Sequence, residues 1–178
     1  MCGYNGLMVR VEHVIDSWKT IRQDTAFAVE DFPAAELDFR ATPELMTFRE
    51  IAHHILDAGH GLTGLLLAGD MDLTTPDFRQ RLQQHRAGLP AEAGAPEIAA
   101  ALRHSIAERA AELAARPAGF FAEIITRFDG QRVTRLEMLQ MIKEHELTHR
   151  AQLFLYLRLK GIVPATTRRR LAKQAAQS

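Results

Sequence analysis

Two histidines stand four residues apart in the segment Glu144-His145-Glu146-Leu147-Thr148-His149-Arg150-Ala151-Gln152. The segment belongs to an apolar pattern that predicts a helix ending at about Lys160. Side chains four residues apart lie on one face of an α-helix, with their Cβ atoms about 5–6 Å apart. Because His145 follows Ile142 by three residues, it and His149 lie on or beside the apolar stripe. The two imidazoles are therefore placed to bind one ion together.

An earlier predicted helix supplies a candidate for a third nitrogen ligand. It carries the adjacent pair His53 and His54, and His54 comes three residues after Ile51, beside the apolar stripe. His53 shares a face with Asp57 and His60, and we expect that face to be solvated. The helical geometry therefore favours His54 as the third ligand.

The histidine pattern has two competing interpretations. Imidazole is the commonest protein ligand for zinc and also suits nickel, copper and iron. Three protein nitrogens with a position left to solvent describe a catalytic rather than a closed structural site. Alternatively, the pair in the later helix lies at the edge of the core and is satisfied by carbonyl or carboxylate groups. The chain has 8 histidines, so the four-residue spacing also arises by chance, and the pattern alone does not choose.

Polar residues near these histidines have several open roles. Asp57 is a candidate general base, an outer hydrogen-bond acceptor, a fourth ligand or a surface charge, and the pattern favours surface charge. Gln152, three residues after the second histidine of the pair, either hydrogen-bonds a bound water or orients itself at the core edge. Glu144 and Glu146 point away from the metal face and are expected to be solvent charges or salt-bridge partners.

The remaining chain predicts three further long helices and several shorter elements. Capping boxes at Thr47–Glu50 and Thr134–Glu137 mark two helix starts. The apolar periodicity predicts long helices over about 9–29, 47–69, 96–116 and 134–160, a short helix over 78–86 and a final surface helix from about 167. Between the third and fourth long helices, residues 120–133 contain Asp129-Gly130 and are predicted to form an extended loop or short hairpin. Long helices joined by long connections indicate an all-α four-helix bundle, forming one domain over 1–178 with its core at about 9–164.

Composition excludes several classes of partner. The chain has 22 Lys plus Arg and 22 Asp plus Glu, so no net charge favours nucleic acid or an anionic membrane. The run Arg168-Arg169-Arg170 is interpreted as a solubilising tail. No apolar run approaches the ~18 residues of a membrane span. The single cysteine, Cys2, excludes an internal disulfide and is expected to be an unimportant thiol, and we expect a cytoplasmic protein without a signal peptide.

Three segments together resemble the DinB/YfiT-like superfamily over about residues 9–164. They are Leu37-Asp38-Phe39-Arg40, Thr47-Phe48-Arg49-Glu50-Ile51-Ala52-His53-His54-Ile55 and His145-Glu146-Leu147-Thr148-His149-Arg150-Ala151-Gln152-Leu153. Ala151 departs mildly from the family, which often has glycine there.

The resemblance implies a four-helix bundle with up-down-down-up topology and a divalent metal, zinc or nickel. Its ligands would be His54, His145 and His149, and Asp57 is nearest to the acidic residue that many members carry after the first ligand. Dimers are common among relatives, so a homodimer is expected.

The resemblance also implies a choice of activities. The superfamily includes thiol S-transferases that use bacillithiol or mycothiol, and a mycothiol-dependent maleylpyruvate isomerase. We therefore expect a metal-dependent enzyme with a small-molecule substrate, of the thiol S-transferase kind, in which the metal activates a low-molecular-weight thiol. The alternatives are a metal-dependent hydrolase with Asp57 as base and a non-catalytic metal-binding bundle.

Overall fold

The computed structural model describes residues 10–177. Its four long helices are α1 (Val11–Asp31), α2 (Phe48–Ala68), α4 (Ala95–Ala114) and α6 (Arg135–Leu159). The shorter elements are a 3₁₀ turn (Ala34–Glu36), α3 (Phe78–Gln84), α5 (Ala118–Ala122), strands β1 (Ile124–Thr126) and β2 (Arg132–Thr134), and α7 (Ala165–Ala175). The predicted all-α four-helix bundle is confirmed. Within the described range, no helix combines the length and apolarity needed to cross a bilayer. The expectation for Cys2 lies outside the described residues.

The four long helices form a bundle in which consecutive helices α1 and α2 lie on a diagonal. Each of these two helices packs against both α4 and α6. Hydrogen bonds between the helices show their relative directions. Helices α1 and α6 are joined by Arg22–Glu146 and Asp24–Arg150, and α2 and α4 by His60–Arg109 and Leu67–Arg116. The contacts Met46–Tyr156 and His54–His145 relate α6 to α2 and to the residues just before it. They make α1 parallel to α6, α2 parallel to α4, and α2 antiparallel to α6. The topology is therefore up-down-down-up, as the resemblance implies.

Both predicted capping boxes start helices that bear the histidines. Thr47 Oγ1 accepts a hydrogen bond from the Glu50 amide at 3.1 Å, and Glu50 Oε2 accepts from the Thr47 amide at 2.7 Å. Thr134 and Glu137 make the same reciprocal pair, at 3.1 and 2.6 Å. Gly69, with φ of 91°, ends α2 in the left-handed conformation. Local chemistry thus sets where the ligand-bearing helices begin.

The core divides into two apolar clusters. One includes Ala28, Val29, Phe48, Ile51, Ile98, Leu102, Leu153 and Tyr156, and the other includes Ile15, Trp18, Leu62, Leu65, Ile106, Leu113, Leu139 and Ile142. In every long helix, buried polar side chains lie between the residues of the two apolar clusters. We call these the middle polar layer: Arg22, Thr25, His60, Ser105 and Glu146. The candidate site lies beside this layer.

The segment between the third and fourth long helices is only partly as predicted. The short hairpin is confirmed, with β1 and β2 antiparallel and Ile125 opposite Val133. The prediction of extended structure is wrong for residues 120–122, which belong to α5. Phe120 and Phe121 are buried there with their rings at 86° and 5.2 Å apart. A short run of apolar residues does not distinguish helix from strand by periodicity, so burial decides.

The final helix is docked by charge rather than by apolar contact. None of the residues of α7 is buried, as predicted for a surface helix. Arg168 pairs with Asp31 of α1 at 2.9 Å, and Arg169 pairs with the buried Asp24. The interpretation of the arginine run as a solubilising tail is therefore wrong for these two residues.

The short helix α3 packs on a glycine face of α2. A Cβ atom at Gly64 would lie 2.8 Å from the Cβ and ring of His85, and one at Gly61 would lie 2.8 Å from Leu82 Cδ1. The missing side chains therefore let α3 and the residue after it approach the α2 backbone closely.

The close approach at Gly64 makes it costly to add a methyl group there. We expect Gly64→Ala to destabilise the fold by about 1 kcal/mol, because the clash with His85 Cβ outweighs the higher helix propensity of alanine. Gly119→Ala is the matched control, since nothing lies within 4 Å of a Cβ there. It should stabilise the fold by about 0.5–1 kcal/mol. Urea unfolding of both variants measures the signs, and equal stabilisation would show that His85 does not rest on Gly64.

Candidate metal centre

The Nε2 atoms of three histidines converge between α2 and α6. His54 Nε2 lies 3.0 Å from His145 Nε2, which lies 3.2 Å from His149 Nε2. All three nitrogens lie within 4.8 Å of one another. The structure thus brings together the three histidines that the sequence selected, and His54 rather than His53 faces the pair.

Helix geometry explains the convergence. His145 and His149 are one turn apart on α6, and their rings meet edge to face, at 69° with centroids 4.5 Å apart. Because α2 runs antiparallel to α6, His54 enters from the facing helix, with its ring 4.9 and 4.6 Å from the other two. His54 lies at the rim and is more exposed than the pair on α6, although all three rings are partly buried. One side of the cluster therefore opens to solvent.

Gln152 orients one ring of the cluster. Its Oε1 lies 2.8 Å from His149 Nδ1. An amide oxygen only accepts, so Nδ1 carries the proton and Nε2 presents its lone pair to the centre of the cluster. This contact with His149 differs from both roles that the sequence left open for Gln152, a bound water or the core edge. An outer hydrogen bond of this kind fixes the tautomer of a metal-binding histidine.

The cluster favours neutral imidazoles. Burial, followed by the neighbouring His149 and His54, lowers the pKa of His145 to about 4. Burial also lowers the pKa of His54, with a smaller contribution from His149. Neutral imidazole is the form that coordinates a metal, so these rings are ready to bind at neutral pH.

The donor set fits a divalent transition metal. Zinc–nitrogen bonds of 2.0–2.1 Å in tetrahedral geometry place ligand nitrogens about 3.3 Å apart, close to the separations found here. Three imidazoles suit zinc and nickel alike. Among the described residues, no carboxylate or thiol joins the cluster. The arrangement is therefore that of a three-nitrogen site with room for an exogenous ligand.

A pocket of about 350 Å³ has His54 in its wall. Its wall includes Asp57, which pairs with Arg86 at 3.2 Å, so the carboxylate is neither a ligand nor a free surface charge. Both groups influence His54, where Asp57 raises and Arg86 lowers the pKa. His53 also lines this pocket, and its buried Nε2 has no hydrogen-bond partner within residues 10–177. The pocket therefore combines charged and unsatisfied polar groups beside the histidines.

Two residues for which the sequence allowed or predicted exposure to solvent, Glu146 and His60, are buried. Glu146 is 2% exposed, so the solvent-charge alternative is wrong and the salt-bridge alternative is right, with Arg22 as partner at 2.8 Å. His60 is also buried, between Ser105 Oγ at 3.1 Å and Arg109 Nη2 at 2.8 Å. Its face of α2 is packed against α4 rather than solvated. A signal for Glu146 was present, because Arg22 stands in the apolar stripe of α1 and requires a buried anion.

Comparisons with known proteins agree with this architecture. The model of the DinB family matches residues 1–178. YjoA from Bacillus subtilis, a DinB-like protein, is 19% identical over 84% of this chain and 92% of its own, with a TM-score of 0.65. YfiT from Bacillus subtilis is 18% identical over 88% of this chain and 93% of its own, with a TM-score of 0.67.

A third structure with the same fold is a mycothiol-dependent maleylpyruvate isomerase. It is 13% identical over 82% of this chain and 61% of its own, with a TM-score of 0.60. At these identities the likeness to the solved structures shows the fold alone. A search of curated proteins found no significant sequence match.

Metal binding at the cluster should stabilise the fold. At a free zinc concentration 1,000 times the Kd, binding contributes about 4 kcal/mol, which corresponds to a Tm increase of about 10 °C for a chain of this size. We expect His54→Ala, His145→Ala and His149→Ala to lose most of this shift. His104→Ala is the control, since its side chain is 83% exposed and belongs to α4. Differential scanning fluorimetry with and without zinc measures the effect, and an unchanged shift in His149→Ala would exclude the site.

The lowered pKa of His145 should make the metal-free fold sensitive to acid. As the pH falls from about 6.5 towards 4, the unfolded chain takes up the proton at this position before the folded chain does. Stability is therefore complete above pH 6.5 and is lost through this window. Chemical unfolding of metal-free protein at several pH values should show a shallower loss for His145→Ala than for the unaltered chain. Equal slopes would contradict the burial of a neutral imidazole at this position.

Proposed function

The chain belongs to the DinB family, and on this premise we propose that it is a metal-dependent enzyme acting on a small molecule. His54, His145 and His149 would hold a divalent metal, zinc or nickel. The observation that carries the proposal is the convergence of three Nε2 atoms in a cluster without a carboxylate among the described residues. Such a donor set leaves coordination positions for a reactant, as in catalytic sites.

Within this class, we propose thiol S-transfer. A divalent metal in this site supplies the Lewis acidity that lowers the pKa of a bound low-molecular-weight thiol. A free thiol has a pKa of about 8.5, whereas water has one of about 15.7, so a thiol needs much less help from a protein base. This distinction matters because Asp57, the candidate general base, is paired with Arg86 at 3.2 Å.

The chain's own residues would divide the remaining work. Gln152 holds the His149 ring with its Nε2 directed into the cluster. The pocket beside His54 offers space for the electrophile, with the half-exposed Arg86 as a polar contact. Leu89 adds an apolar surface to the same pocket. Attack of the thiolate on the electrophilic carbon would form a carbon–sulfur bond as the leaving group departs with its electron pair.

Hydrolysis is the second candidate. The YfiT structure is described as "a probable metal-dependent hydrolase with an unusual four-helix bundle topology". The exposed rim at His54 gives water access to the cluster. A hydrolase would need Asp57 to leave Arg86 and act as general base. The mycothiol-dependent isomerase of the same fold supports the thiol alternative instead.

Thiol consumption tests the proposal directly. Metal-loaded protein is mixed with bacillithiol, mycothiol or glutathione and a chlorinated or epoxide electrophile, and thiol loss is followed. We expect metal-dependent turnover that falls at least 100-fold in His149→Ala and stays within about threefold in Asp57→Asn, because no base is required. His104→Ala serves as the control.

The other outcomes identify the alternatives. Absence of metal-dependent turnover with all three thiols would exclude the transferase. Ester or amide hydrolysis that disappears in Asp57→Asn would establish the hydrolase. Stoichiometric metal binding without either activity would leave the non-catalytic bundle.

A further inference from the structure

Glu146 occupies an unusual place on the helix that bears two of the histidines. Between the apolar contacts of Ile142 and Leu153, it is the only side chain of α6 that is fully buried. Elsewhere α6 is held by apolar side chains of the two core clusters and, in its first turn, by the buried Arg135. Over the turns that carry His145 and His149, a single carboxylate thus replaces the usual apolar contact.

Three donors on one face of α1 converge on this carboxylate. Trp18 Nε1 donates to Oε2 at 2.6 Å, and Thr25 Oγ1 donates to Oε1 at 2.9 Å. Arg22 Nε lies 2.8 and 2.9 Å from the two oxygens. The donors stand at positions i, i+4 and i+7 of α1, so they form one stripe. Glu146 is therefore held from several directions at once.

This network is an inefficient way to stabilise a core. A buried ion pair is often no more stabilising than apolar side chains of similar volume. Arg22 is 0% exposed, and its Nη1 and Nη2 atoms have no hydrogen-bond partner among residues 10–177. Unsatisfied buried donors make the arrangement costlier still. The network instead fixes an orientation. Hydrogen bonds to the Glu146 carboxylate restrict the rotation of α6 about its axis more tightly than apolar packing does.

The direction matters because the histidines depend on the rotation of α6. Successive residues project 100° apart, so fixing Glu146 against α1 turns His145 towards α2. A ring nitrogen lies about 6 Å from the helix axis, so a rotation of 10° displaces it by about 1 Å. Metal–ligand distances tolerate only about 0.2 Å. The site therefore requires the rotation of α6 to be fixed within a few degrees.

Arg22 extends the same constraint to the other ligand-bearing helix. A Cβ atom at Gly59 would lie 2.5 Å from Arg22 Nη2 and 3.3 Å from the Trp18 ring. The guanidinium thus rests against the α2 backbone, five residues after His54. One side chain of α1 contacts both helices that carry the converging nitrogens.

From these contacts we propose that Glu146 is a positioning residue, and that its network with Trp18, Arg22 and Thr25 sets the rotation of α6 that aims His145 and His149 at His54. The predicted effect on metal binding rests on the proposed function. The predicted effect on the positions of the histidine rings does not, because it can be observed in the metal-free protein.

Measurements of metal affinity and of stability distinguish a positioning role of Glu146 from a purely structural one. Glu146→Gln keeps the shape but removes the charge, and we expect zinc affinity, measured by competition with a chromophoric chelator, to fall at least tenfold. The absorption spectrum of bound Co²⁺ should also change. Glu144→Gln is the matched control, because Glu144 adjoins His145 on the exposed side and accepts a hydrogen bond from Gln140. Its zinc affinity should equal that of the unaltered chain.

The double variant Arg22→Met/Glu146→Met gives the sharper test. Its Tm should return to or exceed that of the unaltered chain, while its zinc affinity stays at least tenfold weaker. Recovery of affinity together with Tm would show a merely structural role and overturn the proposal. If the double variant does not fold, Glu146→Gln decides alone, and unaltered zinc affinity there would overturn the proposal.

A readout without metal distinguishes this proposal from the proposed function. In a crystal structure of metal-free Glu146→Gln, we expect the distance from His54 Nε2 to His145 Nε2 to exceed 3.0 Å by about 1 Å or more. An unchanged distance would overturn the positioning role. Failure of the unaltered chain to bind zinc, with a displaced ring in the variant, would instead reject only the metal-dependent function.

Discussion

The buried carboxylate of Glu146 is the constraint on which the arrangement of the bundle depends. It is 2% exposed and accepts hydrogen bonds from three residues of α1, including Arg22 and Trp18. The two apolar clusters end on either side of it. Because burying an unpaired charge is very costly, α1 and α6 have few relative settings in which this carboxylate keeps its donors. The parallel packing of α1 and α6 is therefore fixed by the contacts of Glu146, near the middle of both helices.

The same layer explains how the fold supports a cluster of imidazoles. A bundle with a continuous apolar core would bury every inward side chain and leave no place for polar groups between its helices. Here the apolar contacts are interrupted, and His145 and His149 lie at the interruption with one side open to solvent. Burial lowers the pKa of His145 and of His54, while the rim at His54 leaves access for a reactant. Such local departures from good packing are typical of functional sites, which trade stability for chemistry.

The sequence predicts most of this architecture because its signals are local. Capping boxes, glycine ends and apolar periodicity depend on neighbours a few residues away, and they place the long helices to within a few residues. The four-residue histidine spacing and the stripe position of His54 were enough to bring the right rings together. The burial of Glu146 and His60 was missed because each depends on a partner in another helix, and helical periodicity alone assigns a charged side chain to solvent. Arg22 in the apolar stripe of α1 was the available clue.

The histidine cluster and the neighbouring pocket come from different parts of the fold. This difference limits how far membership of the family determines the reaction. The converging nitrogens belong to facing helices of the bundle, whose rotation the middle polar layer restricts. The neighbouring pocket takes Arg86 and Leu89 from the segment after α3, a connection outside the four long helices. Segments that connect helices tolerate substitutions and insertions that a packed helix face does not. The pocket can therefore change without disturbing the nitrogen cluster, and membership of the family does not by itself determine the substrate.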